Sequence, residues 1–335
     1  MNSSTLSPPP VVAPPDSTPA SRVRPDVAAL WQSSGMLIVF LVLFALTSLF
    51  VPNFFSWVNM KGLGLSVATV GIIACTMLFC LASGDFDLSV GSIVALSGVL
   101  AAVVVNATGN VFLGILAGIL AGGAVGLVNG SVIAKLGINA LITTLATMQI
   151  VRGLAYIVSG GKAVGVTESN FFVLGISSVL GIPTPVWIMI ACFVVFGFLL
   201  SKTIFGRNTL AIGGNAEASR LAGIPVTRTK IIIFTLQGLV AGFAGVILAS
   251  RLTSGQPSTA QGLELQVISA CVLGGVSLTG GVGSILAVIV GALIMGTVQN
   301  AMNLLNIPPF YQYIASGGIL LAAVLLDRLK QKGTR

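Results

Sequence analysis

Hydrophobic side chains in this chain come in long unbroken runs, at 36–51, 63–83, 90–106, 111–134, 138–158, 186–201, 231–250, 264–279, 284–302 and 312–326. They do not form stripes of one apolar face per helical turn. A helix needs about 20 apolar residues to cross the hydrocarbon of a bilayer. The pattern therefore predicts an all-α polytopic membrane protein with about ten transmembrane helices, eight to ten in all. The runs at 90–106 and 264–279 are the weakest, being short or interrupted by glycine, and whether 84–89 and 274–283 cross or re-enter stays open. Polar residues collect in two places, 1–35 and 202–230. The first is rich in Pro and Ser without apolar period and is predicted to be disordered. It is too long and too polar for a signal peptide, and 36–51 has no suitable small-residue cleavage site, so that run is read as an uncleaved first span. The organisation expected is a tail at 1–35, a transmembrane domain at 36–327 carrying a long loop at 202–230, and a short basic tail at 328–335.

Charge sets the orientation. With the N-terminus in the cytoplasm, twelve basic residues fall on inner segments: Arg22, Arg24, Lys135, Lys202, Arg207, Arg220, Arg228, Lys230, Arg328, Lys330, Lys332 and Arg335. Three fall outside (Lys61, Lys162, Arg251), and Arg152 lies within a span. The positive-inside rule thus places both termini in the cytoplasm, with Trp57 and Trp187 at the outer interface and Trp31 at the inner one. The net charge of +8 follows from this topology. No basic stripe with interleaved aromatics is present, so no nucleic-acid partner is expected.

Composition narrows the chemistry. Hydrophobic residues make up 55% and charged ones 7%, against roughly 25% charged in soluble domains, and mean hydropathy is +1.05. There is no histidine, which removes the usual proton shuttle and the commonest metal ligand. Cys75, Cys80, Cys192 and Cys271 lie singly in apolar runs and read as buried inert thiols, so neither a metal nor a cofactor is expected. No GxxxxGK[ST] sequence or dinucleotide fingerprint occurs. If ATP drives this protein, another subunit hydrolyses it. A membrane enzyme would lack any nucleophile–base pair.

Glycines at 114, 118, 122, 126 and 130 recur every fourth residue, and Gly238 and Gly242 repeat the spacing. Such stripes let helix backbones approach closely, either inside one chain or between subunits. Val90–Leu96 (VGSIVAL) also echoes Val282–Val288 (VGSILAV), a faint sign of duplication.

Polar groups at membrane depth are functional candidates. Asp85, Asp87 and Ser89 interrupt two apolar runs. Either Gly84 ends one helix and an aspartate caps the next, or the carboxylates line a path. Asn139, Thr143 and Thr147 are spaced by four and share a helix face, with Gln149 and Arg152 nearby. That face suits hydroxyl-rich solutes or hydrogen bonds between helices equally. Arg152 needs protein, water or an acid beside it, and Asp85 or Asp87 would serve. In the 202–230 loop, Asn215 is a good N-cap, Glu217 sits in a first turn, Arg220 follows and Gly223 stands just past the end. The resulting short helix is either a docking element or a plain connector.

Six segments resemble one family: CLASGDFDLSVGS (80–92), NALITTLATMQIVRGLAYIVS (139–159), GRNTLAIGGNAEASRLAGIPV (206–226), ASRLTSGQP (249–257), ISACVLGGVSLTGG (268–281) and NAMNLLN (300–306). They are similar to permease subunits of bacterial monosaccharide ABC importers, the ribose/xylose/arabinose/galactose type, and within these to the L-arabinose branch. The resemblance runs from about residue 30 to the C-terminus. It implies an inner-membrane subunit paired with a second copy of itself, a cytoplasmic ABC ATPase and a periplasmic sugar-binding protein, with membrane lipid around it. It also implies that 206–226 is the coupling loop, placing Asn215, Glu217, Arg220 and Gly223 at the ATPase contact, and that Asp87 to Ser92 lies near the path. Glu217-Ala-Ser-Arg220 departs from the family's EAAR-like run by one serine, too small a change to abolish docking. The other reading is a stand-alone secondary sugar carrier or facilitator, for which Asp85, Asp87 and Glu264 are the acids near the spans. Nothing in the sequence separates arabinose from ribose or galactose.

Overall fold

The computed structural model describes residues 27–333, with side chains placed from 35 to 325. Most of the expected N-terminal tail, Arg22 and Arg24 included, lies outside the described residues, as do Arg335 and the side chains of Trp31, Arg328, Lys330 and Lys332. The chain folds in the order α1 (Val27–Phe50), α2 (Trp57–Ala82), α3 (Val90–Thr108), α4 (Val111–Leu136) and α5 (Ala140–Ser159). A short excursion follows, with β1 (Val164–Gly165), a 3-10 turn (Ser169–Phe172), α6 (Val173–Ile176), β2 (Ser178–Val179) and β3 (Ile182–Pro183). Then come α7 (Thr184–Lys202), α8 (Ile204–Gly214), α9 (Ala216–Leu221), α10 (Val226–Leu252), β4 (Ser254–Gly255), α11 (Leu263–Leu273), α12 (Ile285–Leu304) and α13 (Pro309–Gly333). Each apolar run overlaps a helix, that at 264–279 only as far as Leu273. α1 begins ahead of its run, within the segment expected to be tail, and α13 continues through the expected basic tail to Gly333.

Among the described residues seven helices are long and apolar enough to cross a membrane: α2, α3, α4, α5, α7, α10 and α12. Of the two weak runs, the first is a full helix, α3. The second is not one continuous helix of spanning length: α11 has 11 residues, about 16 Å of helix against about 30 Å of hydrocarbon, and 274–284 is irregular.

The glycine stripe on α4 packs inside the chain. Gly118 and Gly122 lie against Gly242 of α10, and a Cβ built at Gly118 would stand 2.8 Å from the Ser97 carbonyl of α3. Gly130 meets Ile231 in the same way, 2.9 Å from its Cα. The contacts run antiparallel along α4 and α10, while Gly98 beside Gly245 and Ala249 shows that α3 runs parallel to α10. Without water to drive apolar association, this close backbone packing is what holds α3, α4 and α10 together.

α2 is the central helix, with 83% of its apolar window buried, against 22% for α5 and α7. The exposed Ile142, Ile157, Val194 and Phe198 of α5 and α7 are the surfaces a membrane protein turns to lipid or to another chain. The four thiols are free and at least partly buried. At the end of the bundle that carries Trp57, β1 pairs with β4 and β2 with β3, both antiparallel, and Trp187 Nε1 donates to the Val179 carbonyl at 3.2 Å.

Candidate functional site

Two irregular segments lie inside the bundle. The first is 83–89. Gly84, at φ +81°, closes α2: its N–H donates to Leu81 O (2.9 Å) and the Asp85 N–H to Cys80 O (3.0 Å), the pairing that satisfies the last carbonyls of a helix. The chain then runs non-helically to Ser89. Ser89 sits beside Asn129 of α4, seven residues before the end of α4 at Leu136, so α3 starts about 10 Å inward of that end.

The second segment is 253–262. Gly255 lies against Gly98 and Val99, and Ala260 against Gly91. This stretch therefore descends along α3 by about 10 Å before α11 begins at Leu263. Irregular backbone at membrane depth survives only when protein buries it or it lines a cavity. The starts of the two helices meet here: a Cβ at Gly91 would stand 2.5 Å from both the Ala260 carbonyl and Glu264 Oε2.

A chain of polar groups joins the first segment to α4 and α5. Asp87 Oδ1 accepts from the Ser89 N–H (2.9 Å) and the Ser89 hydroxyl (2.6 Å). Asn129 Nδ2 donates to Ser89 Oγ at 3.0 Å, and Asn129 Oδ1 accepts from the Thr147 hydroxyl at 2.7 Å. Asp87, Ser89 and Asn129 are fully buried. Among the described residues, Asp87 Oδ2 and both amide atoms of the buried Gln237 on α10 have no hydrogen-bond partner. Neither aspartate caps α3 by its side chain in the usual way, since the cap position is Ser89 and it makes no capping bond.

The charged partners differ from those expected. Asp85 Oδ2 pairs with Lys230 Nζ of α10 at 2.7 Å. Arg152 meets neither Asp85 nor Asp87; its Nη1 donates to the carbonyls of Pro257 and Thr259, each at 2.7 Å, clamping the second segment. The Asn139–Thr143–Thr147 face also divides. Asn139 is exposed and caps α5 by accepting from the Leu141 N–H at 2.8 Å. Thr143 bonds back to the Asn139 carbonyl at 3.1 Å, and Gln149 is exposed. Of that face only Thr147 reaches the Asp87 network.

The 202–230 loop folds as α8 and α9 with two tight ends. Asn215 Oδ1 accepts from the Ala218 N–H at 2.9 Å. At the other end the Gly223 N–H donates to Arg220 O and the Ile224 N–H to Ser219 O, each at 3.0 Å, with Gly223 at φ +83°. Glu217 and Arg220 form a two-bonded pair at 2.6 and 3.1 Å on the open surface. Hydrogen bonding and charge from Arg220 hold the Glu217 carboxyl below its usual range, so the pair persists at neutral pH and is lost as pH falls through that depressed value. Leu221 is 78% exposed, an apolar side chain with no cover on a helix that buries only Ser219. Behind this surface, Gly213 of α8 lies against the Ala82 carbonyl and Gly280, and the Gly281 N–H donates to Ala82 O at 2.9 Å. α8 thus touches both the end of α2 and the irregular stretch after α11.

A family model described as "branched-chain amino acid transport system / permease component" matches residues 59–324. The chain belongs to this family. It is therefore a multi-pass inner-membrane permease, a transport component and not a catalyst. The permease is 65% identical over 306 residues to the L-arabinose transport system permease protein AraH of Escherichia coli K12, covering 91% of this chain and 93% of that protein. It is 59% identical over 315 residues to the L-arabinose ABC transporter permease protein AraH of Azospirillum brasilense, covering 94% and 93%. Identity to the ribose import permease protein RbsC of Bacillus subtilis is 42% over 315 residues, covering 93% and 97%. No solved structure matches.

Two central residues of the permease escaped the sequence reading. Asn129 had a usable signal, being a lone amide in an apolar run. Lys230 had none, because its partner lies in a distant loop. Replacing Asn129 with leucine is expected to leave Thr147 and Ser89 without their buried partner, at a cost of about 1–3 kcal/mol. Thermal unfolding of the purified permease should fall accordingly, and an unchanged midpoint would show that the network contributes nothing.

Proposed function

We propose that the permease forms the sugar path of an ATP-driven monosaccharide importer specific for L-arabinose, working as two copies with a cytoplasmic ATPase and a periplasmic binding protein. The observation that carries the path assignment is the meeting, inside the bundle, of two irregular segments, 83–89 leading into α3 and 253–262 leading into the short α11. Discontinuous helices place helix N-termini and free backbone groups where a polar solute must shed water. Asp87, Ser89, Thr147, Arg152 and Glu264 surround that junction. The unpartnered Asp87 Oδ2 is the group a sugar hydroxyl would satisfy once the junction opens, which lowers the cost of leaving water. The sugar assignment rests on the names of the relatives, arabinose at 65% and 59% identity against ribose at 42%.

The same reading takes ten crossings, counting α1, α13 and the broken α11, with both termini in the cytoplasm. Twelve inner basic residues against three outer ones support it. α9 then faces the ATPase, offering Leu221 and the Glu217–Arg220 pair. Movement of α9 passes through the short turn at 222–225 into α10, whose Lys230 grips Asp85 and so the first irregular segment.

The test is uptake of labelled L-arabinose, D-ribose and D-galactose in transport-deficient cells, with the permease expressed alone and then with both partners. Uptake of arabinose only with both partners, abolished by a Walker-lysine mutation in the ATPase, is the expected result. Uptake by the permease alone that collapses with the proton gradient would make it a secondary carrier.

A further inference from the structure

Where α4 ends and α10 begins, the surface holds a cavity of about 500 Å³ lined by Lys135, Arg220, Ile224, Pro225, Val226, Thr227, Arg228, Ile231 and Ile232. Three features of it converge on one ligand chemistry. Arg220 is already taken by Glu217, but among the described residues Lys135 and Arg228 are in no ion pair. The start of α10 forms part of the wall, and its cap residue, Pro225, supplies no side-chain hydrogen bond. Among the described residues the Thr227 and Arg228 N–H groups, at the start of this 27-residue helix, have no backbone or side-chain acceptor, an arrangement that attracts anions. The rest of the wall is aliphatic, and Leu136 and Ile138, 69% and 42% exposed, continue that apolar surface past Lys135.

From this we infer that the cavity binds an anionic phospholipid, its phosphodiester seated between Lys135, Arg228 and the α10 N-terminus and its acyl chains lying over Ile224, Val226, Ile231 and Ile232. A free phosphate would use the cations and leave the aliphatic wall facing water. An acidic protein segment would be equally ill served by that wall. A lipid satisfies both halves at once, and basic pockets between helices near the membrane surface are where such headgroups are held. The inference depends on the membrane location and not on the sugar carried. Because the cavity shares Arg220 and the 222–225 turn with α9, a bound lipid would also brace the root of the coupling helix.

The experiment is native mass spectrometry of the full-length permease in detergent, titrated with palmitoyl-oleoyl phosphatidylglycerol or the matching phosphatidylcholine. Wild type is compared with Lys135→Gln/Arg228→Gln and with Lys202→Gln, which removes an exposed cation elsewhere on the loop. Removing two cations should weaken phosphatidylglycerol binding roughly 10- to 30-fold, leave phosphatidylcholine unaffected, and leave the Lys202 variant like wild type. Equal phosphatidylglycerol retention by the double variant would overturn the assignment. So would displacement of the lipid by millimolar inorganic phosphate, or unchanged lipid retention together with lost assembly with the ATPase, which would make the cavity a phosphate site or a protein contact.

Discussion

Valine in place of Gly126 is expected to prevent the permease from accumulating in folded form. Gly126 faces Phe234 and Gly238 of α10 so closely that a Cβ would clash with the Phe234 carbonyl and stand 3.1 Å from the Gly238 Cα. Its neighbours in the stripe are similarly tight, since a Cβ built at Gly122 would stand 2.8 Å from the Gly242 Cα and one built at Gly242 would stand 2.9 Å from the Gly118 carbonyl. These contacts are backbone to backbone, so no rotamer change relieves them and the helices themselves must separate. Overpacking costs about 1–3 kcal/mol where side chains can yield; here the loss is larger because α3 rides on the same pair of helices. A single such change exhausts much of the roughly 5–15 kcal/mol that keeps a domain folded. Gly153 of α5, with nothing within 4 Å of a Cβ, is the control, and Gly153→Ala should be silent. Membrane yield and the size-exclusion profile of a fluorescently tagged permease read both. A monodisperse Gly126→Val protein at wild-type yield would mean that α4 and α10 do not pack as described.

Alanine at Asp85 or at Lys230 should each destabilise the permease by about 3 kcal/mol, while the double variant recovers much of that loss. The side chains are only 11% and 19% exposed, so removing one leaves the other as an isolated charge in a poor solvent, which costs far more than the pair itself contributes. Transport should behave differently. If the pair transmits movement of α10 to the 83–89 segment, uptake fails in both single variants and stays low in the double variant even where stability returns. Thermal midpoints of the four proteins close the double-mutant cycle for stability, and arabinose uptake with both partners present gives the second cycle. Additive destabilisation without recovery would show that Asp85 and Lys230 do not interact. Full return of uptake in the double variant would reduce the pair to a structural role.

Both predictions concern contacts between elements far apart in the chain, and that is where reading the sequence stopped. Nine of the ten apolar runs became helices over nearly their whole length, because a run of that length with no water to compete for its amides has only one way to satisfy them. The short helix at 216–221 was legible for a different reason: Asn215 and Gly223 act on backbone groups within a turn of themselves. The glycine stripe announced close helix packing, but not that its partners were α10 and α3 of the same chain. The run at 264–279 misled because its hydropathy comes mainly from 263–273, whereas the glycine- and hydroxyl-rich stretch at 274–284 is irregular, with Gly275, Gly280 and Gly281 at positive φ. For Arg152 the sequence left protein, water or an acid open, with Asp85 and Asp87 as the available counter-charges, and the fold brings it the protein carbonyls of Pro257 and Thr259. By itself, then, the sequence determined the solvent, most of the helices, the caps of the short helix at 216–221 and the family, all of which depend on local composition or short motifs. Only the tertiary structure decided where two crossings break and that Asp85 meets Lys230 while Asp87 meets Ser89 and, through it, Asn129. Those pairings arise when α3, α4 and α10 close on their glycines, and no local signal encodes which buried groups that closure brings face to face.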